Sequence, residues 1–154
     1  MRNLILTMNN NSITIQKRSK LFASRVIKAY AEINRKNHFN SASVVLSKQF
    51  LRSGTSIGAN CSEALYAQSN RDFLSKYLIA LKEASETRYW IELIIDNELA
   101  PKSKFSSLLE EIEIIIKILV SITKKLKEVR KLTYYPLPTT HYPLPITYYL
   151  VLAV

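Results

Sequence analysis

A chain of 154 residues that is 47% hydrophobic has material for one domain with a sizeable core. Its net charge of +10 favours polyanions as partners over acidic proteins or lipid, and its single cysteine, Cys61, excludes an internal disulfide framework. Glu113 and Lys117 interrupt the longest apolar run, which falls short of the roughly 20 residues of a membrane span, and the N-terminus lacks a signal-peptide pattern, so a soluble, cytoplasmic protein is expected.

Residues 1–18 read as a flexible arm or an extension of the first helix. Helix one runs from about Ser12 or Ser19 to Lys36, with Phe22, Val26, Ala29 or Tyr30, and Ile33 recurring every three or four positions. Residues 37–42 break it, and Ser41 or Ser43 is the expected N-cap of helix two. Helix two extends to about Gln68. It is crowded with small residues and holds both glycines of the chain, Gly54 and Gly58, one turn apart. A glycine inside a helix costs about 1 kcal/mol against alanine, so the pair implies a backbone approached closely. Cys61, on the apolar face of this helix, reads as a small buried hydrophobe.

Asn70 is the expected cap of helix three, with Asp72 in the first turn where the dipole favours an acid. Phe73, Tyr77, Ala80, Ala84, Thr87, Ile91 and Ile94 follow at heptad spacing. The helix ends near Leu99, and Pro101 opens helix four. There Phe105, Leu108, Ile112, Ile115, Leu119, Ile122, Leu126 and Val129 alternate three and four apart. Four long helices on short connections predict an all-α fold over residues 19–132, an antiparallel up-down-up-down four-helix bundle. A second stripe on helix three, Leu74, Leu78, Leu81 and Ile95, exceeds what one bundle core buries, so a homo-oligomer is expected. Residues 133–154 form a Pro/Tyr tail that repeats every seven residues, and its prolines exclude helix. Residues 139–145, TTHYPLP, are what ACTACCC written three times can encode, so the tail reads as translated simple-sequence DNA and is expected to be disordered.

Arg52 is followed by Ser56, Ile57, Asn60, Glu63 and Ala64, then by Phe73, Glu83 and Glu86. On these residues the chain resembles the "four helix bundle proteins". These small bacterial proteins were first noticed as reading frames inside intervening sequences of large-subunit ribosomal RNA genes. The accessory variability determinant of diversity-generating retroelements is a relative. The resemblance covers roughly residues 19–131 and is densest over 46–93. It implies a homopentameric ring, and by way of the retroelement relative a basic pentamer that binds nucleic acid and a reverse transcriptase. It implies no established catalytic activity.

The residues themselves offer no reaction site. Glu83 with Glu86 and Glu110 with Glu113 have the spacing of di-metal bundle ligands, but His38 and His141 both fall off the core helices. No nucleophile, base and orienting group assemble, and no Gly-rich phosphate loop exists. Neither enzyme nor cofactor is expected. Glu83 and Glu86 are expected to face solvent or a cation such as Arg88 or Lys82. Arg52, Ser56, Asn60 and Glu63 recur on one side of helix two, and a polar ladder between helices or subunits is preferred over a binding surface.

Up-down-up-down topology places the start of helix one and the end of helix four at one end. Lys17, Arg18, Lys20 and Arg25 are therefore expected near Lys124, Lys125, Lys127, Arg130 and Lys131, as a basic rim for RNA or DNA. Cations at the start of helix one work against its dipole, which suggests an external anion. Two functions stand side by side: a nucleic-acid-binding accessory protein, or a structural or adaptor ring with incidental charge.

Overall fold

In the computed structural model, residues 13–37 and 41–134 are described, with the side chains of 36, 37 and 130–134 outside that description. Four helices result: α1 (Ile15–Asn37), α2 (Ser41–Glu63), α3 (Asn70–Asp96) and α4 (Lys102–Tyr134). No strand occurs among the described residues. Residues 1–12 and 135–154, and with them most of the expected arm and tail, lie outside the described residues, as does His38.

Contacts run in opposite senses along neighbouring helices. Between α1 and α2, Asn34 Nδ2 donates to Ser47 Oγ at 3.1 Å, whereas Ser19 lies beside Gly58. Between α2 and α3, Thr87 donates to Ser53 Oγ at 2.9 Å, and Lys76 to Glu63 at 2.5 Å. Between α1 and α4, Arg18 meets Glu111, Arg25 meets Ser107 and Glu32 meets Lys104. The bundle is antiparallel throughout.

On α1, α3 and the first part of α4 the core is made of the stripes the periodicity picks out. Phe22, Val26 and Ile33 come from α1, Phe50, Ile57 and Cys61 from α2, all seven heptad residues from α3, and Phe105 to Leu119 at their seam positions from α4. Phe50 and Phe105 join opposite corners, with ring centroids 5.9 Å apart. Beyond Leu119 the seam departs from expectation: Thr123 takes the buried place, donating to the Leu119 carbonyl at 2.9 Å, while Ile122, Leu126 and Val129 are only half-buried.

The helix ends also refine the sequence reading. Thr14 caps α1, its hydroxyl accepting from the Lys17 amide at 3.3 Å. The α-helix of α2 stops at Glu63 rather than near Gln68, and a 3₁₀ turn (Ala64–Tyr66) carries the chain round. Ser69, not Asn70, caps α3: its backbone is extended and its hydroxyl accepts from the Asp72 amide, while Asp72 accepts in return from the Gln68 amide. At the other end of α3, Glu98 has φ 54°. The Leu99 amide reaches the Ile94 carbonyl and the Glu98 amide the Ile95 carbonyl, the bond pair of a Schellman motif. Glycine is the residue that motif prefers, because a Cβ strains the left-handed conformation. Glu98→Gly should therefore raise stability by about 1 kcal/mol, read as a higher urea midpoint with an unchanged m-value.

Candidate functional site

The bundle divides the expected basic cluster among three places. Arg18 and Arg25 turn toward α4, where Arg18 pairs with Glu111 at 2.8 Å and Arg25 donates to Ser107 Oγ at 2.8 Å. Lys17 and Lys20 turn the other way and line an outer groove between α1 and α2. Lys124, Lys125 and Lys127 are exposed on the distal part of α4. Glu111, which holds Arg18, precedes Lys124 by thirteen residues, or about 20 Å of helix at 1.5 Å per residue. The cause is length: α4 has 33 residues and α1 has 23, so α4 overhangs its neighbour. The two groups share an end of the bundle without forming one cluster. The side chains of Arg130 and Lys131 lie outside the described residues.

Three of the family-motif residues, Arg52, Glu83 and Glu86, form a clamp across α2 and α3. Arg52 pairs with Glu86 and stands 3.7 Å from Glu83 Oε2. Glu86 also accepts from the indole N–H of Trp90 at 3.2 Å. Burial opposes ionisation of Glu86, but Trp90 and Arg52 outweigh it and hold the carboxyl below its usual range. Glu83 and Glu86 thus face Arg52 rather than solvent or Arg88, and Lys82 adds a smaller attraction at Glu86. Arg88 instead pairs with Glu113 at 3.0 Å and Glu92 at 3.5 Å. One oxygen of Glu83 is buried without a hydrogen bond, which makes the nearby Arg52 its main compensation. At the far end of the same seam Lys76 pairs with Glu63. Between them Asn60 donates to the Ser56 carbonyl of its own helix at 2.9 Å.

Small residues on α2 let its neighbours approach. A Cβ on Gly54 would stand 2.8 Å from Val26 Cγ1, and one on Gly58 would stand 3.4 Å from the Ser19 carbonyl oxygen. Cys61 is fully buried here, and desolvation pushes its thiol up to about 11, so it is protonated and inert at neutral pH. Burial likewise pushes Tyr77 up to about 12, while its hydroxyl accepts from Gln16 Nε2 at 2.9 Å. Among the described residues no group of three His, Cys, Asp or Glu side chains is placed to hold a metal ion, and no helix is long and apolar enough to cross a membrane.

Comparison with known proteins bears on this arrangement. The 23S rRNA-intervening sequence protein family matches residues 11–121. A crystal structure of a protein of unknown function from the S23 ribosomal protein family of Bacteroides thetaiotaomicron is similar, with 44% identity and a TM-score of 0.65. That likeness covers 71% of this chain and 98% of the Bacteroides chain. None of the curated proteins compared with the chain matches it. Neither of these two descriptions names an enzymatic activity.

Proposed function

From the premise that this chain belongs to the 23S rRNA-intervening sequence protein family, we propose that it is a non-enzymatic, self-associating nucleic-acid-binding accessory protein of the bacterial cytoplasm. The carrying observation is the charge and its disposition. The chain holds +10, and Lys17, Lys20, Lys124, Lys125 and Lys127 are exposed with no acid paired to them among the described residues. RNA or DNA is the partner such a surface suits, by contacts to phosphates. A reverse transcriptase is a further partner consistent with the family resemblance.

Self-association has its own support. Leu21, Ile27, Val45, Leu78, Ile79, Ile114 and Val120 are exposed, and the distal α4 seam at Ile122 and Leu126 is only partly covered. A homopentamer is the assembly proposed, and a ring would repeat each basic surface so that weak contacts act together. Light scattering after size exclusion tests it, and a monomer at micromolar concentration would refute it. A ring that binds no nucleic acid would be the structural or adaptor protein instead.

Replacing Lys124, Lys125, Lys127, Arg130 and Lys131 with Gln should weaken binding to all sequences alike. It should also flatten the slope of log affinity against log salt by up to about 3–4 on a single strand. The measurement is a salt titration of RNA and DNA binding. No binding by the wild-type protein at low salt, or an unchanged slope in the variant, would overturn the proposal.

A further inference from the structure

The groove between α1 and α2 has a volume of about 470 Å³, within the range of about 300–1,000 Å³ typical of ligand sites. One wall carries Lys17 and Lys20, and the other carries Ser62. Its floor is Ala23, Gly58 and Ala59, side chains too small to fill it. At its base α2 meets the α1 backbone at Gly58, and Thr14, Gln16 and Thr55 complete the lining. Lys17 and Lys20 are three apart on one helix, so their Cβ atoms are about 5–6 Å apart. Neither ammonium is paired with an acid among the described residues.

We propose that this groove holds the sugar-phosphate backbone of a single nucleic-acid strand, an inference that rests on the nucleic-acid-binding reading above and gives that surface a strand preference. The two ammonium groups reach successive phosphates of one strand, and the Ser62 hydroxyl is a further donor from the facing wall. No aromatic residue lines the groove, so it offers no stacking platform and reads no base. A duplex is too wide to enter. It meets the lysine tips alone, as it meets those of α4. Charge therefore attracts both forms, and shape admits one.

Filling the groove without altering charge separates the two contributions. Ala59 is exposed at the floor, so Ala59→Tyr closes the groove and leaves every cation in place. Single-stranded oligonucleotides of RNA and of DNA, and the matching duplexes, would be titrated against the full chain at low salt. Single-strand affinity should fall about tenfold as the two phosphate contacts are lost, with duplex affinity unchanged and the thermal midpoint preserved. Equal loss on RNA and DNA assigns the contact to phosphate, and a larger loss on RNA adds the ribose hydroxyl. The variant Lys17→Gln/Lys20→Gln, which keeps the groove open, should also lose more on single strands than on duplexes. Wild-type binding that neither variant changes, or that both reduce equally for strand and duplex, overturns the groove while leaving nucleic-acid binding intact. Absence of wild-type binding overturns both.

Discussion

Arg52→Ala is expected to lower stability by about 2–3 kcal/mol. The substitution leaves the Glu83 carboxylate, whose side chain is only 11% exposed, without the only cation paired with it among the described residues. Removing one partner of a buried pair costs about 3–5 kcal/mol, and the 55% exposure of Arg52 reduces that figure through solvent screening. The more exposed pair of Lys104 and Glu32, with side chains 52% and 38% exposed, provides the contrast: Lys104→Ala should cost no more than about 1 kcal/mol. The Arg52 effect also depends on pH. Glu86 is held below its ordinary value of 4.5, so its contribution is present above that pH and is lost as pH falls through its folded value. The gap between wild type and Arg52→Ala should accordingly narrow below about pH 4.5. Urea denaturation of both proteins from pH 3 to pH 7 measures it, and equal costs for Arg52→Ala and Lys104→Ala would refute the clamp.

The partner of Glu83 shows where sequence reasoning stopped. Periodicity identified the buried stripes of α1, α3 and the first part of α4, because burial of Phe22, Tyr77 or Ile112 depends only on which face a residue occupies. Arg52 lies more than thirty residues from Glu83, and their meeting depends on the register of α2 against α3, which no single helix encodes. The nearer cations Arg88 and Lys82 are the natural expectation, but Arg88 pairs with Glu113 and Glu92 and Lys82 adds only the smallest of the attractions at Glu86. The basic rim failed to close for the same reason. Topology correctly placed the start of α1 and the end of α4 at one end, but the ten-residue difference in length decides how far apart they sit. The cap of α3 was legible to within a residue, since Ser69 and Asn70 are both good caps and only the backbone selects between them. Glu98 carried no signal, because its left-handed conformation follows from the tertiary turn.

The glycines were legible as a close approach, and the structure supplies what approaches. Gly54→Ala should destabilise the protein while Gly58→Ala should be neutral or stabilising, although both add the same methyl group to the same helix. Each gains about 1 kcal/mol of helix propensity. At Gly58 the new Cβ makes ordinary contact at 3.4 Å, so that gain survives. At Gly54 it meets Val26 Cγ1 at 2.8 Å and Cγ2 at 2.9 Å. A β-branched side chain in a helix has one strongly preferred rotamer, and Val26 is fully buried, so the helices themselves must separate. Overpacking of this kind costs about 1–3 kcal/mol. The two variants should thus differ by about 1–3 kcal/mol, and the difference isolates the clash because the propensity gain cancels. A double-mutant cycle assigns the cause. Val26→Ala is destabilising on its own through the space it opens, yet it removes the two methyl groups in the way. In that background Gly54→Ala should become neutral or stabilising, like Gly58→Ala. If Gly54→Ala costs as much without the valine as with it, the α1–α2 approach is not what requires glycine at this position.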